Sequence, residues 1–316
     1  MYKNLKQFGK VKTNEPLAKH TTFKVGGPAD FFVTVESTEK LAELLKYIDG
    51  EGTPYFILGG GSNVLMPDDG FRGVVIKIQS REIKVEEGLL VVDAGVSTVA
   101  AAQESIKTGF TGFEWGVGIP GTIGGALRGN AGSMGQEMKD MVLKVEAYID
   151  GEIVEFDNEA CGFSYRNSIF KREGGIILRI WIKLEKGDSG EAMKKALENL
   201  KYRSDNHPKG FGTAGCTFKN YLVDEDEQER IKKLTDDEKI LETMEKYGKV
   251  PVGRLIELSG LKGTKMGNAI ISEKHCNFIQ NLGDAKASDI LTLIEKVKEA
   301  VYNKFGVELE EEIQII

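Results

Sequence analysis

Apolar positions along this chain switch repeatedly between a period of two and a period near 3.6, so strands and helices alternate from the start. Residues 31–35 form a β-rich run, and Leu41, Leu44, Leu45 and Ile48 then mark one face of a short helix. A second strand at 55–58 runs directly into Gly59-Gly60-Gly61-Ser62-Asn63, and 74–78 and 89–93 read as further strands. Strand-rich stretches follow at 142–149 and 176–184. Gly187-Asp188-Ser189-Gly190 then marks a boundary at which a charged helix begins. Towards the end, Ile290, Ile294, Val297 and Val301 repeat at helical spacing behind Ser288 as the expected N-cap, ahead of a β-rich tail over 307–316. The pattern predicts an α+β protein in two or three lobes.

Glycine changes that picture. There are 38 in 316 residues, well above the usual share of about 7%, and eight of them fall between Gly116 and Gly135. Clusters without a repeat rule out a collagen-like or low-complexity chain. A residue without Cβ lets backbone amides converge on an anion or lie against a flat ring, which points to a diphosphate-bearing cofactor. For 59–63 a tight turn between elements is an equally good explanation. For 116–135 a bare connection is the weaker one, because long structureless loops are uncommon without a function. The 59–63 cluster lacks the lysine of a P-loop, and no Gly-x-Gly-x-x-Gly lies between the first strand and a helix with an acidic residue about 20 positions on, as a Rossmann fingerprint requires.

A net charge of −7 and a pI near 5.3 argue against a broad nucleic-acid footprint and favour small-molecule chemistry. No segment has the length or flanks of a signal peptide, and none approaches the ~18 apolar residues of a membrane span, so a cytoplasmic location is expected. Cys161, Cys216 and Cys276 lack any short paired spacing. They read as free thiols, with neither a disulfide framework nor a metal site.

Several strings then occur in order along nearly the whole chain: His20-Thr21-Thr22-Phe23-Lys24-Val25-Gly26-Gly27-Pro28-Ala29-Asp30, Gly59-Gly60-Gly61-Ser62-Asn63 and Gly118-Ile119-Pro120-Gly121-Thr122-Ile123-Gly124-Gly125-Ala126. Tyr165-Arg166-Asn167-Ser168-Ile169-Phe170, Ala214-Gly215-Cys216-Thr217-Phe218-Lys219-Asn220, Gly253-Arg254-Leu255-Ile256-Glu257, Ser272-Glu273-Lys274-His275 and Leu309-Glu310-Glu311-Glu312-Ile313 follow. With this ordered set the chain resembles the UDP-N-acetylenolpyruvoylglucosamine reductase family, in its compact subtype without a tyrosine-bearing lid. The resemblance implies an N-terminal segment at 1–19 and an FAD-binding domain of the vanillyl-alcohol-oxidase (PCMH) type at 20–186. A C-terminal α+β substrate-binding domain follows at 187–316. The charged stretch 223–249 reads as an insertion, forming a peripheral helical hairpin.

The reaction so implied uses NADPH to reduce FAD, and reduced FAD to convert UDP-N-acetylglucosamine enolpyruvate to UDP-N-acetylmuramate for peptidoglycan precursors. An enol ether resists hydride attack unless charge developing toward its carboxylate is stabilised, a task suited to the planar fork of Arg166. A proton must also reach the second carbon, and Cys216 stands where the family usually has serine. Glu312 is implied to polarise the substrate with Arg166. Tyr165, Lys219 and Asn220 are implied to bind substrate. Gly59, Gly60, Gly61, Ser62, Asn63, Gly118, Ile119, Pro120, Gly121, Thr122, Gly124 and Gly125 are implied to hold FAD. Tyr221 replaces a usual proline and His207 a usual glutamine, the latter read as a loop residue. No protein partner can be identified. Two rivals stay open at this point: another flavin oxidoreductase on the same scaffold, and a flavin-binding protein without catalysis.

Overall fold

The computed structural model describes residues 1–86 and 88–316. The chain forms two compact units that interleave in sequence. The first comprises Met1–Glu15, Pro28–Gly61 and Phe71–Asp205, and the second Pro16–Gly27, Ser62–Gly70 and Asn206–Ile316.

In the first unit the strands Pro28–Val35, Phe71–Ile78 and Tyr55–Leu58 are parallel neighbours in a four-stranded sheet completed by Lys10–Pro16. Side chains alternate across such a sheet, so Val33, Val35, Val74, Ile76 and Ile78 share one face. That face is buried against Leu41, Leu44, Leu45 and Ile48 of the helix Thr38–Glu51, the residues whose spacing predicts it. Ser37 caps this helix through the Lys40 amide, and Gly52 at φ 61° ends it. The opposite face carries Phe32, Val75 and Lys77, with Lys77 in register with Thr34 and Leu58.

A second, antiparallel sheet has the order Glu152–Asp157, Val142–Ile149, Ile176–Lys183, Leu89–Asp93, Ile83–Glu86. One of its faces, with Val145, Ile180, Ile182 and Val92, packs on Ala101, Ala102 and Ile106 of the helix Thr98–Lys107 and on Trp115 and Leu127. The other lends Tyr148 and Leu178 to the core around Thr38–Glu51. The glycine-poor strands predicted from periodicity are all present. The charged helix expected after 187–190 is Ser189–Asn206, which stays with the first unit by burying Ala192 and Ala196.

The second unit is built around the helix Ala287–Phe305, which buries Ile290, Leu293, Ile294, Val297, Val301 and Phe305 against Val252, Leu255 and Ile256. Ser288 is not its N-cap. It lies in the first turn, and the carboxylate of Asp68 accepts the N–H groups of Ala287 (2.7 Å) and Ser288 (3.1 Å). An acceptor more than two hundred positions away leaves no local signature. Of the expected β-rich tail only Gln314–Ile315 is a strand, parallel to Val64–Leu65.

The stretch 223–249 does form two helices, Glu225–Leu234 and Glu238–Tyr247, but they are not peripheral. Ile231, Ile240 and Met244 are at most 1% exposed within the same core as Leu255 and Ile290. Arg254 binds Asp237 at 2.6 Å and Glu257 at 2.7 Å, tying the hairpin to the Gly253-Arg254-Leu255 string. Three apolar residues suffice here because each falls on the inward face among charges that remain in water. Among the described residues no helix is long and apolar enough to cross a membrane. Ile240→Ala is expected to lower unfolding free energy by about 2–4 kcal/mol in urea titration, whereas Lys239→Ala on the exposed side should change it by less than about 0.5 kcal/mol.

Candidate active site

Within the first unit the two glycine clusters meet. A Cβ on Gly60 would lie 2.3 Å from the Cα of Gly121, and one on Gly59 would lie 2.5 Å from the Oγ1 of Thr122. Gly121 also takes φ 104°, which L side chains rarely adopt. The segment after it is fastened to the end of Leu89–Asp93: Ile123 donates to the Val96 carbonyl and Gly124 to that of Ala94, with no room for a Cβ on Gly124. The Gly125 amide donates to Thr122 Oγ1 at 3.3 Å. By contrast, the amides of Gly60, Gly121 and Thr122 donate to no acceptor among the described residues. Unclaimed N–H groups on two segments in contact are suited to holding an anion, and their position beyond the carboxyl end of Tyr55–Leu58 is where ligands bind in open parallel sheets. The residues therefore fit the diphosphate of FAD. Gly118 closes a short turn beneath the Arg203 side chain, where a Cβ would meet Cδ at 2.6 Å, while Ile119 is half-buried and Pro120 exposed. A cleft of about 420 Å³ lined by Tyr55, Tyr148 and Asp49 contains none of the expected site residues.

Tyr165 and Arg166 form a tight turn closed by reciprocal bonds between Ser164 and Asn167, both 3.1 Å. Arg166 takes φ 54°, an uncommon conformation for a residue with a Cβ, held by its surroundings. Asn130, fully buried at the end of the glycine-rich segment, supplies much of that hold. Its amide nitrogen donates to the Ser164 carbonyl (3.0 Å) and to Glu137 (2.9 Å), and its oxygen accepts from Lys139 (3.0 Å). Ser168 adds a bond from its hydroxyl to the Arg128 carbonyl at 2.8 Å. The Arg166 guanidinium rests 5.3 Å from the Tyr165 ring centroid and makes long bonds to the carbonyls of Asn130 (3.5 Å) and Gly132 (3.4 Å). One buried amide thus connects the arginine turn to the glycine segment. A string of small residues does not advertise that role in advance.

Cys216, Lys219, Asn220 and Glu312 belong to the second unit, as do Ser62 and Asn63. There the backbone of 216–219 runs between two others. Cys216 bridges Phe278, Thr217 donates to the Asn277 carbonyl at 2.7 Å, and Glu312 donates to the Thr217 carbonyl at 2.8 Å. Lys219 in turn donates its amide to the Glu310 carbonyl at 2.9 Å. Asn277 reinforces the arrangement, exchanging side-chain bonds with both backbone groups of Phe218. Cys216 and Glu312 consequently come from neighbouring backbones, both half-exposed.

The acidic cluster around Glu312 separates by partner: Glu310 pairs with Lys219 and Glu311 with Lys298. Asn63 belongs to this assembly, since it donates to the Glu312 carbonyl at 3.0 Å and accepts the Gln314 amide at 2.9 Å. Asn220 accepts the Val252 amide at 3.2 Å, and Tyr221 starts a short ladder with Val250 that opens and closes the inserted hairpin. Tyr221 also donates its hydroxyl to Glu227 at 2.8 Å, a bond that a proline there could not make.

His207 sits beyond the helix Ser189–Asn206, its ring 5.1 Å from Phe278, while the His275 ring is 4.9 Å from Phe278 on the segment that bridges Cys216. Burial holds His275 below its ordinary pKa. Its Nδ1 accepts the Asn277 amide at 3.3 Å, as a neutral imidazole can. Of the other thiols, burial pushes Cys161 up to about 12 and raises Cys276, leaving both chemically quiet.

Family comparison agrees with this division. A family described as "FAD binding domain" matches residues 29–157, and one described as "UDP-N-acetylenolpyruvoylglucosamine reductase, C-terminal domain" matches residues 207–316. The fold and the glycine cradle thus define a flavoprotein, with FAD as its cofactor and a C-terminal reductase-type domain. A UDP-N-acetylenolpyruvoylglucosamine reductase of Caldanaerobacter subterraneus subsp. tengcongensis is 40% identical, with 99% of this chain and 96% of that protein covered. That of Bacillus subtilis is 35% identical, with 98% and 95% covered. The crystal structure of the Thermus caldophilus reductase has a TM-score of 0.76 at 33% identity, covering 97% of this chain and 98% of that one. The chain belongs to the UDP-N-acetylenolpyruvoylglucosamine reductase family.

Two outcomes are expected. Gly60→Ala, which places a methyl into the Gly121 backbone, should weaken FAD binding by at least about tenfold in fluorescence titration while far-ultraviolet circular dichroism stays that of the parent. His275 is held neutral in the folded protein and titrates near 6.5 when unfolded, so acid protonates the unfolded chain preferentially. Stability should fall as pH drops through about 6.5, and His275→Asn should flatten that fall in denaturation midpoints taken across it.

Proposed function

We propose that this protein reduces UDP-N-acetylglucosamine enolpyruvate to UDP-N-acetylmuramate at the expense of NADPH, supplying a cytoplasmic step of peptidoglycan precursor synthesis. The observation that carries the reading is Arg166, held at φ 54° in a turn bolted through Asn130 to the cofactor segment. A permanently charged, planar group in a fixed and uncommon conformation suits recognition of a carboxylate. Bound FAD supplies hydride transfer from NADPH to the substrate's double bond.

The chain's residues do the rest. Arg166 trades its long carbonyl bonds for the enolpyruvyl carboxylate and stabilises the negative charge that builds there during hydride addition. Cys216 gives its Sγ proton to the adjacent carbon, completing the addition of hydride and proton across the bond. A thiol is intrinsically a stronger acid than the serine hydroxyl usual in the family. Glu312, held beside it through the Thr217 carbonyl, polarises the same substrate. Tyr165 steadies the guanidinium through its ring. Lys219 is paired with Glu310, whose side chain is 72% exposed, so the ion pair can yield to a substrate diphosphate. Asn220, whose side-chain oxygen accepts the Val252 amide, contributes to binding the nucleotide.

The test separates the two half-reactions by stopped-flow absorbance. Cys216→Ala should leave flavin reduction by NADPH unchanged and slow reoxidation by the enolpyruvyl substrate at least about 100-fold, with Cys216→Ser retaining activity. Equal loss in both half-reactions would exclude Cys216 as the proton donor. A reduced wild-type flavin that the enolpyruvyl nucleotide fails to reoxidise would exclude the substrate.

A further inference from the structure

Lys77 is the central residue in register with Leu58, the last residue before the Gly59-Gly60-Gly61 loop. It lies on the sheet face opposite the apolar core that packs on Thr38–Glu51. Its neighbours there, Phe32, Val75 and Leu58, are all at most 2% exposed. Among the described residues no carboxylate pairs with its ammonium, which donates to the carbonyl of Gly59. A cation in such surroundings is costly unless something offsets its desolvation, and burial does hold its pKa below the ordinary value. One carbonyl leaves two ammonium donors over.

A charge on this strand could have been avoided with any β-branched residue, as at Val75 and Ile76. Its position is informative. It binds the loop in which Gly60 packs against Gly121, where the amides of Gly60, Gly121 and Thr122 have no acceptor among the described residues. By fixing the Gly59 carbonyl, the ammonium keeps that oxygen's negative dipole directed toward the sheet. Successive peptide groups in a tight loop cannot all point the same way, so anchoring this carbonyl inward favours amides that point outward.

We propose that Lys77 is the counter-charge of the FAD diphosphate, orienting the 59–61 loop through the Gly59 carbonyl and lending its positive charge to the anion that the loop amides hold. It is a positioning residue for the cofactor rather than a participant in hydride or proton transfer. The proposal rests on the flavin reading of the site and adds a residue outside the glycine strings.

Two substitutions separate charge from hydrogen bonding. Lys77→Arg keeps both, whereas Lys77→Gln keeps a donor for the Gly59 carbonyl and removes the charge. Each apoprotein, stripped of flavin and refilled, is titrated with FAD by fluorescence at several salt concentrations. Lys77→Gln should bind FAD about 10- to 100-fold more weakly than wild type, with a shallower dependence of log Kd on log salt. Lys77→Arg should stay within about threefold with the wild-type salt slope. If Lys77→Gln matches wild type in affinity and slope, or loses affinity with the slope unchanged, the counter-charge role is overturned. Failure of the wild-type apoprotein to take up FAD would instead overturn the flavin reading beneath it.

Discussion

Two stretches of backbone more than fifty residues apart approach so closely at Gly60 and Gly121 that a single methyl would part them. Most of the first unit is arranged to make that approach possible. The parallel sheet delivers one stretch from the end of Tyr55–Leu58, and the antiparallel sheet delivers the other from the end of Leu89–Asp93. The helix Thr38–Glu51 is packed on both sheets and fixes their separation. Close packing transmits errors, so a small shift in any of these three elements would be felt at the cradle. Glycine is required there less for flexibility than for the space it leaves vacant.

The second unit solves a different problem by different means. In the proposed reaction its part is played by side chains, and these are placed by a three-stranded arrangement in which the middle segment, 216–219, is short and irregular. Regular sheet would have aligned the side chains in rows. Here Asn277 does what neighbouring strands ordinarily do, matching both hydrogen-bonding groups of Phe218 with one side chain. Asn130 plays the corresponding part in the first unit, occupying three backbone or side-chain partners at once around the Arg166 turn. Both amides are almost completely buried, where unsatisfied polar atoms are costly, so each network is fixed as a whole or lost as a whole.

Much of this was legible in the chain. Periodicity placed the inner strands of both sheets and the helices Thr38–Glu51 and Ala287–Phe305, because their cores are regular and their apolar residues numerous, but not the edge strands Lys10–Pro16, Ile83–Glu86 and Glu152–Asp157, which bury few apolar side chains. Ordered glycine strings pointed to the cofactor, since lack of a Cβ is itself the property in use. What escaped were features set by partners distant in sequence. Asp68 closes the start of Ala287–Phe305, a role that Ser288 mimicked locally. The hairpin at 223–249 looked superficial by composition, yet Ile231, Ile240 and Met244 suffice to bury it. Asn63 reads as part of a cofactor loop, but its bonds run to Glu312 and Gln314. Lys77 carried no signal at all, being one charge in an otherwise ordinary strand.

Interleaving has its own consequence for how the molecule comes into being. Phe23 and Leu65 belong to a core whose other members begin at Ala214, and Val64–Leu65 waits for a strand made of the last residues of the chain. During vectorial synthesis the ribosome releases these early segments long before anything exists for them to pack against, while the sheets between them can already close. The second unit is therefore completed only once Gln314–Ile315 has been synthesised, and cutting the chain at residue 206 would not yield it. A fragment beginning there would lack the residues that finish its core, cap its longest helix and pair its terminal strand.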